Sequence, residues 1–310
     1  MEVKRQYNLG MFGAGNVARE VSNAIKLSVK RIVLYGVASR KLEKSRKFAE
    51  DFGCVKAFAS YEEMLECDEL DIIYISTPTK YHYEHIKMCL MANKHVICEK
   101  AFCISEKQSK KIYQLAREKK RILMDGLWTM YMPSIKKMAE ILSEAKIGKL
   151  KNVSASFGYP IMDNPSWIID DLAIYSVSAL YKFAGANFRT SKIKRKKEKG
   201  NLISIKGRFL YDEYRGKVKS GIKHRTSYLL CIRGTKGIIL SRRWWRGKGF
   251  ILWRFPFFVQ RLDMPHEVNG YEWEFIELVK MLDSGKLVSD TWSDVDSNAV
   301  MHMMDMVCEH

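Results

Sequence analysis

The chain has 310 residues, enough for two domains that each bury a core. Its apolar fraction of 47% and charged fraction of 28% are ordinary for a globular protein, and no apolar run approaches the length of a membrane span. The formal net charge of +18 raises the question of nucleic-acid binding, but no helix-turn-helix, zinc-finger or RNA-binding signature is present. We therefore expect solvated charges that suit an anionic cofactor or substrate, with no nucleic acid as partner.

The beginning of the sequence and the cysteines both predict a cytoplasmic protein without an integral membrane segment. The first residues have the pattern of a strand running into a glycine turn rather than that of a signal peptide. The seven cysteines form no Cys-x-x-Cys pair, and an odd count favours reduced thiols over a disulfide framework. His82 and His85 lie three residues apart, and structural or cofactor-contacting roles are favoured over zinc ligation, so no metal site is predicted.

The first 122 residues alternate short apolar runs with amphipathic segments, which is the pattern of a parallel βαβ sheet. The predicted strands cover 7–12, 31–38, 55–58, 70–76, 95–98 and 122–124. The predicted helices cover 17–29, 42–52, 61–66, 82–92 and 106–119. Ser60 is expected to cap the third helix, with Glu63 completing a capping box. Right-handed crossovers would then give an α/β fold, a doubly wound parallel sheet over residues 1–122.

After residue 122 the strands are grouped, which predicts a second, α+β domain over 123–310 with a largely antiparallel open sheet. Helices are predicted over 133–142, 165–183, 271–282 and 293–307, and strands over 151–157 and within 202–240. The basic block 192–199 is expected to be an exposed hairpin, a charged and solvated loop. The basic and aromatic segment 242–258 is expected to pack inside this domain, with a membrane-surface or anionic-lipid contact as the weaker alternative.

A glycine motif directly follows the first predicted strand and opens the first helix. Gly13 would permit a tight turn, and Gly15 would let the backbone approach a pyrophosphate. The helix N-terminus at Asn16 and Val17 would add amides and the positive end of the helix dipole. This strand–turn–helix context predicts a dinucleotide-binding motif, with an ordinary glycine turn as the alternative.

The end of the second predicted strand bears on the choice of cofactor. Proteins specific for NAD usually place Asp or Glu there to hold the ribose 2′-hydroxyl, but this chain has Ser39 and Arg40, with Lys44 one helical turn further on. A hydroxyl and cationic groups suit a 2′-phosphate. The sequence therefore predicts NADP as the preferred cofactor, with NAD as the alternative.

Polar residues also follow the fourth and fifth predicted strands. Ligands of doubly wound sheets bind beyond the carboxyl ends of the strands, so these residues are expected to form the nicotinamide side of the site. They are Ser76, Thr77, Pro78, His82, Glu99 and Lys100. A partly desolvated Lys100 there could orient a carbonyl or alcohol oxygen and exchange a proton with it.

The glycine motif, the Ser76-Thr77-Pro78 run with its two histidines, and the run 94–100 together resemble the glucose–fructose oxidoreductase/inositol dehydrogenase (GFO/IDH/MocA) family. Segments 124–129, 147–150, 234–237 and 269–271 are similar to its dihydrodiol dehydrogenase branch. The resemblance implies an N-terminal Rossmann domain and a C-terminal domain whose open sheet forms a dimer or tetramer. It also implies NAD(P)-dependent hydride transfer between nicotinamide and a hydroxyl-bearing carbon of a sugar, cyclitol or diol.

The same resemblance implies roles for particular residues. Lys100 would lie beside the nicotinamide. Asp171 and Tyr175 match a family Asp-x-Gly-x-Tyr element, which implies Tyr175 as general acid and Asp171 as the group that fixes the substrate or Lys100. A buried core tyrosine is the alternative for Tyr175. The positions that match the substrate-lining aromatic residues of the dihydrodiol dehydrogenase branch are Trp128, Phe157 and Trp245.

Two positions depart from the family pattern. Ala101 stands where the family has proline after the lysine, and Ala173 stands where it has glycine before the tyrosine. Proline would restrict the residue before it, and a methyl group in place of glycine could crowd a close backbone approach. These departures support a second hypothesis, a catalytically attenuated nucleotide-binding sensor or scaffold with the same fold.

Overall fold

The computed structural model describes residues 5–159, 168–222 and 227–309. The chain forms two compact units, Met1–Tyr131 with Glu267–Asn298 and Met132–His266 with Ala299–His310. Neither unit is one continuous stretch of sequence. The two continuous domains divided at residue 122, which were expected from the sequence, stay a prediction. The predicted helical residues 165–167 lie outside the described part of the chain.

The helices of the described residues begin and end within a few residues of the predicted bounds. They are α1 (Asn16–Ser28), α2 (Leu42–Phe52), α3 (Tyr61–Leu65), α4 (His82–Met91), α5 (Glu106–Glu118), α6 (Pro133–Ser143), α7 (Ile168–Ala184), α8 (Glu272–Ser284) and α9 (Asp294–Cys308). The Ser60 hydroxyl accepts the amide hydrogen of Glu63 across 3.0 Å, and the Glu63 carboxylate accepts that of Ala59 across 2.7 Å. The predicted cap of α3 is therefore confirmed, with the reciprocal bond made one residue before the capping serine.

The first unit contains a six-stranded parallel sheet. Its strands are β1 (Tyr7–Phe12), β2 (Ile32–Ala38), β3 (Lys56–Phe58), β4 (Ile72–Ile75), β5 (His95–Glu99) and β6 (Leu123–Gly126). Their order is β3-β2-β1-β4-β5-β6, and every pair is parallel. This is the order of the Rossmann fold, so the predicted doubly wound sheet is confirmed. The strand order reverses between β1 and β4, which places the ends of β1, β4 and β5 at the crevice where such sheets bind ligands.

The second unit contains an eight-stranded, largely antiparallel sheet. Its strands are β7 (Leu150–Gly158), β8 (Thr190–Glu198), β9 (Asn201–Leu210), β10 (Arg215–Gly221), β11 (Leu229–Gly234), β12 (Gly237–Arg242), β13 (Gly249–Arg254) and β14 (Phe258–Asp263). The order is β14-β13-β12-β11-β7-β10-β9-β8, and only β7 and β10 pair in parallel among these described strands. The predicted α+β arrangement is confirmed, and α7 packs on β7 and β10.

Two details of the second unit differ from the sequence-based expectation. The basic block 192–199 does lie in an exposed hairpin, as predicted, but most of it is the edge strand β8, which pairs with β9, rather than a solvated loop, and only Lys199 and Gly200 form the turn. The strand forms because Ile193 points inward and its backbone groups are satisfied by the ladder to β9. Only part of the segment 242–258 is packed inside the domain: Trp244 is buried, whereas Phe257 is 91% exposed. Phe257 lies in the β13–β14 hairpin, and this hairpin was not predicted from the sequence.

Across the described residues, none of the helices has the length and apolarity needed to cross a membrane.

Candidate functional site

The turn after β1 can be built only with glycine. Gly13 has φ +103°, and an ideal Cβ there would lie 2.9 Å from Ser76 Oγ and 3.3 Å from the Ser76 carbonyl oxygen. Gly15 is the N-cap of α1, has no side-chain cap, and would have no atom within 4 Å of an added Cβ. The first residues of α1, Asn16 and Val17, are exposed, and no acidic residue lies in the first turn. This open helix N-terminus can hold a pyrophosphate through backbone amides.

The predicted ribose-side residues follow β2 but differ in what they can offer. The Ser39 hydroxyl is buried and donates its one proton to the Lys41 carbonyl oxygen across 2.8 Å, while it accepts the Ser45 hydroxyl across 3.1 Å. Arg40 and Lys44 are exposed. A phosphate needs donors, so the cations Arg40 and Lys44 can hold a 2′-phosphate, whereas Ser39 braces the turn.

The turn after β4 is fixed to β1 and to α4. Ser76 donates both its amide hydrogen, across 2.9 Å, and its hydroxyl hydrogen, across 3.0 Å, to the Phe12 carbonyl oxygen. Thr77 Oγ1 lies 2.8 Å from Nδ1 of His85. Pro78 is exposed and begins a short 3-10 turn. The backbone of this turn is therefore held in place next to the glycine motif.

His82 joins the ends of two strands. Its ring is only 1% exposed, with Nε2 2.7 Å from the Thr77 carbonyl oxygen and Nδ1 2.9 Å from the Ala101 carbonyl oxygen. Burial lowers the pKa of His82 to about 4, against the opposing effect of the two carbonyl acceptors. The sequence predicted His82 on the nicotinamide side; in the structure its ring links the segment after β4 to the segment that carries Lys100.

Glu99 ends β5, Lys100 follows it, and Glu99 forms a buried carboxyl pair with Glu274. The Tyr74 hydroxyl donates to Glu99 Oε1 across 2.6 Å, and the Lys100 amide hydrogen donates to Glu99 Oε2 across 3.2 Å. Tyr74 Oη also lies 3.3 Å from Oε1 of Glu274, whose side chain is fully buried. The half-buried Lys100 therefore follows a carboxylate whose oxygens both accept hydrogen bonds.

The sequence did not identify Tyr74 or Glu274 as residues of the site. Burial raises the pKa of both groups well above the usual values, and the nearby carboxyl of Glu99 acts in the same direction. Two sequence features could have pointed to these residues: a tyrosine within the apolar strand β4, and a glutamate between Trp273 and Phe275. A polar group in an apolar context needs a hydrogen-bond partner, so each feature indicates a buried polar contact.

Trp128 and Asp125 lie in the first unit, after and at the end of β6. Trp128 is 7% exposed and stacks on Tyr271, with ring centroids 4.5 Å apart. Trp128 therefore offers at most an edge of its ring to a ligand.

Asp125 is buried and accepts the Ser297 hydroxyl hydrogen across 3.0 Å, and burial raises its pKa to about 7.

The other predicted substrate residues form one aromatic cluster in the second unit. The Phe157 ring centroid lies 4.5 Å from that of Tyr175 and 4.8 Å from that of Trp245. Tyr175 is 7% exposed on α7, and Asp171 lies one helical turn before it, half-buried. The structure thus brings Phe157, Tyr175 and Trp245 together, although such burial also suits a core tyrosine.

The predicted residues divide between the units. Those of the nucleotide-binding motif, with Lys100 and Trp128, belong to the first unit, and the aromatic cluster with Asp171 belongs to the second. Within the described residues, no group of three or more His, Cys, Asp or Glu side chains is placed to hold a metal ion.

The strand order and the glycine turn together define a dinucleotide-binding protein of the Rossmann class. Residues 7–127 match the model of the GFO/IDH/MocA family, described as an oxidoreductase family with an NAD-binding Rossmann fold. The resemblance indicated by the motifs is therefore confirmed over this N-terminal part of the chain.

Curated relatives match the chain over most of its length. The trans-1,2-dihydrobenzene-1,2-diol dehydrogenase of Mus musculus is 25% identical over 283 residues, which cover 86% of this chain and 82% of the relative. The enzyme of the same name from Xenopus tropicalis is 26% identical over 317 residues, which cover 96% and 95% of the two chains.

Solved structures show the same fold. KijD10, a 3-ketoreductase from Actinomadura kijaniata in complex with TDP-benzene and NADP, aligns with a TM-score of 0.86 at 21% identity, over 98% of this chain and 97% of that one. A levoglucosan dehydrogenase in complex with NADH and levoglucosan aligns with a TM-score of 0.85 at 17% identity, over 98% and 97% of the two chains.

Proposed function

We propose that the protein is an NADP-preferring oxidoreductase that transfers a hydride between nicotinamide and a hydroxyl-bearing carbon of a sugar, cyclitol or diol. The observation that carries the proposal is the position of Lys100. It follows β5, two strands from the glycine turn of β1 and on the same carboxyl edge of the parallel sheet. The names of the relatives, a diol dehydrogenase and a sugar ketoreductase among them, support this substrate class.

The residues of the first unit fit an NADP molecule. The turn at Gly13 and Gly15 and the free amides of α1 suit the pyrophosphate. Arg40 and Lys44 suit the 2′-phosphate, because they are exposed cations and no acidic residue directly follows β2. The turn Ser76-Thr77-Pro78, His82 and Glu99 would form the nicotinamide side. NAD remains the alternative cofactor.

In the proposed reaction each residue has a separate task. Bound nicotinamide would supply or accept the hydride. Lys100 would orient the reacting oxygen and polarise it with its charge, because an ammonium beside an oxygen stabilises developing negative charge there. Tyr175 would donate or accept the hydroxyl proton of the substrate, and Asp171 would fix the substrate or Lys100. Trp128, Phe157 and Trp245 would contact the apolar faces of the substrate.

A second candidate is a nucleotide-binding sensor or scaffold of the same fold. Ala101 and Ala173 favour it, because both stand at family positions next to the proposed catalytic residues. Ala101 is 2% exposed and Ala173 is fully buried, so each methyl group occupies packed space. Cofactor binding without turnover on a broad panel of sugars, cyclitols and diols would favour this candidate.

The test is Lys100→Met, compared with Lys107→Met, which changes an exposed lysine of α5 in the same way. NADPH affinity, measured by fluorescence, is expected to stay within about threefold in both variants. Turnover on the best substrate of the panel is expected to fall about 10²-fold or more only in Lys100→Met. Equal turnover of the two variants would remove Lys100 from the mechanism and leave the cofactor assignment intact.

The quaternary structure and the location also belong to the proposal. A homodimer or homotetramer through the sheet of the second unit is proposed from the family resemblance, and sedimentation of the purified protein tests it. A cytoplasmic location stays a prediction from the sequence.

A further inference from the structure

The backbone around Lys100 is held by side chains and not by a proline ring. Lys100 follows β5 and is itself followed by Ala101, so no ring restricts its conformation. The Glu99 side chain accepts the Lys100 amide hydrogen across 3.2 Å. One residue further on, Nδ1 of His82 lies 2.9 Å from the Ala101 carbonyl oxygen. The position of Lys100 therefore depends on how firmly these two side chains are themselves held.

The orientation of the Glu99 carboxylate is set by Tyr74. The last torsion angle of a glutamate side chain is broad, so a donor at one oxygen alone does not fix the carboxylate. Here the Tyr74 hydroxyl donates to Oε1 across 2.6 Å, while the Lys100 amide donates to Oε2. Glu99 is buried, so solvent does not readily replace either donor. Without the tyrosine hydroxyl, the carboxylate could turn away from the amide.

Tyr74 is held in turn by helix α8. Its side chain is fully buried, and its ring lies 5.5 Å from that of Phe275. Its hydroxyl oxygen lies 3.3 Å from Oε1 of Glu274, whose pKa is raised well above the usual value by burial and by the nearby Glu99 carboxyl. A protonated Glu274 donates to the phenol oxygen, which directs the single phenol hydrogen to Glu99.

The placement of Glu274 is unfavourable for stability. Its side chain is fully buried, and among the described residues its second oxygen, Oε2, has no hydrogen-bond partner. A buried polar atom without a partner destabilises the folded state, and a second carboxyl close to Glu99 adds to that effect. Local features that oppose stability are concentrated at functional sites. The contact that Glu274 makes with Tyr74 therefore points to a role in the site rather than in packing.

We propose that Tyr74 and Glu274 are positioning residues for Lys100. Glu274 directs the Tyr74 hydroxyl to the Glu99 carboxylate, and that carboxylate holds the Lys100 amide. Helix α8 thereby helps to set where the lysine lies at the carboxyl edge of the parallel sheet. This role rests on the proposed function, in which Lys100 orients the reacting oxygen. A small displacement of such a group lowers the rate of the chemical step, even when the residue that was changed touches neither substrate nor cofactor.

The first measurement needs neither substrate nor cofactor. Residue-resolved hydrogen–deuterium exchange of the full chain reports how firmly the Lys100 amide is held. Tyr74→Phe keeps the ring and removes the donor to Glu99, so exchange at Lys100 should become about tenfold faster, the effect of one lost hydrogen bond. The matched control is Tyr113→Phe, because the buried Tyr113 also donates its hydroxyl, to Ser297 across 3.1 Å. Exchange at Lys100 should stay within about twofold in this control.

The second measurement is turnover on the best substrate of the sugar, cyclitol and diol panel. Tyr74→Phe should lower kcat about tenfold and leave KM and the Kd for NADPH within about twofold, a split that a general loss of stability does not produce. Tyr113→Phe should leave all three values nearly unchanged. Glu274→Leu should lower kcat about threefold, whereas Glu274→Gln should retain it, because its amide can still donate to Tyr74. The Glu274 pair makes the same comparison if Tyr74→Phe does not fold.

Three outcomes would overturn the proposal. One is unchanged exchange at Lys100 in both Tyr74→Phe and Glu274→Leu. Another is an equal loss of kcat in Tyr74→Phe and Tyr113→Phe, which would reflect lost stability alone. The third is faster exchange at Lys100 with unchanged kcat, since the segment would then be held without any effect on the reaction. A native protein without turnover on the whole panel would contradict the proposed function instead, while faster exchange only in the Tyr74 variant would still support the hold on Lys100.

Discussion

The Tyr74 hydroxyl lies 2.6 Å from Glu99 Oε1, the distance of a hydrogen bond to an anion. Tyrosine has one hydroxyl proton, so its second carboxyl contact, at 3.3 Å to Glu274, needs a proton that comes from the carboxyl. Glu274 is fully buried and is therefore expected to be the neutral member of the pair, with Glu99 the charged one. This keeps a single negative charge next to Lys100.

The first prediction concerns Glu274→Gln, which keeps the shape and a donor toward Tyr74. The folded-state pKa of Glu274 is raised by burial, so the native protein loses stability as pH rises above the pKa of an unfolded glutamate. The loss is on the order of 1 kcal/mol per pH unit. The Glu274→Gln variant has no such pH-dependent loss of stability, because glutamine does not ionise. Its melting temperature should therefore exceed that of the native protein by more at pH 8 than at pH 5.

The control for this change is Glu50→Gln, which removes an exposed carboxyl from α2. Its melting temperature relative to the native protein should not depend on pH. If Glu274→Gln instead destabilised the protein increasingly with pH, Glu274 would be charged in the folded state and the assignment of the proton would be wrong.

The second prediction separates two glycines of one motif. Gly13→Ala should destabilise the protein by about 1–3 kcal/mol, because the residue has positive φ and the new methyl group would meet Ser76. Gly15→Ala should leave stability nearly unchanged, because an added Cβ has no neighbour within 4 Å, yet weaken NADPH binding about tenfold or more by covering the open amides. Denaturant unfolding and NADPH fluorescence measure the two effects. Unchanged NADPH affinity in Gly15→Ala would place the pyrophosphate elsewhere.

The third prediction concerns cofactor preference. Arg40→Ala should raise the Kd for NADPH about tenfold, because it removes a charge-assisted contact to the 2′-phosphate, and should leave the Kd for NADH unchanged. Arg46→Ala, at an exposed arginine within α2, should change neither value. Tighter binding of NADH than of NADPH by the native protein would contradict the predicted NADP preference.

The fourth prediction concerns His82, which holds the segments after β4 and β5 together. His82→Phe should lower the free energy of unfolding by about 1–3 kcal/mol at pH 7, because the neutral ring donates its one N–H to either the Thr77 or the Ala101 carbonyl oxygen, and that oxygen would lose its donor. The folded pKa of about 4 lies below that of an unfolded histidine, so the native protein loses stability as pH falls from about 6.5 toward 4. The difference between the two proteins should therefore shrink at pH 5.

Chemical denaturation at the two pH values measures this difference. A stability difference at His82 that grew on acidification would mean that the ring is protonated in the folded state.

Much of the fold followed from periodicity and local turn chemistry. The continuous apolar run of β4 and the glycine turn after β1 are local signals, and both indicated the parallel sheet correctly. The β13–β14 hairpin was missed because its strands mix arginine with aromatic residues and lack a clear alternation of period two. The block that became β8 was taken for a loop because only Ile193 marks its inward side.

Site residues that belong to a contiguous sequence motif could be predicted. Site residues that meet only in the folded protein, from distant parts of the sequence, could not. Gly13, Arg40 and Lys100 each stand at the end of a recognisable strand. Glu274 meets Tyr74 across 200 residues, and no local pattern connects them. For Ser39, the residue type suggested a phosphate contact, but only the structure shows that its proton is already given to Lys41.

The return of residues 267–298 to the first unit has a consequence for synthesis. The strands of the nucleotide-binding sheet are translated before the second unit, but α8, whose Phe275 ring lies 5.5 Å from that of Tyr74, is translated only after β7–β14. Until α8 is translated, the Tyr74 hydroxyl lacks its contact with Glu274, and Trp128 lacks Tyr271 as its stacking partner. The first unit can therefore be completed only after the strands of the second unit have been translated.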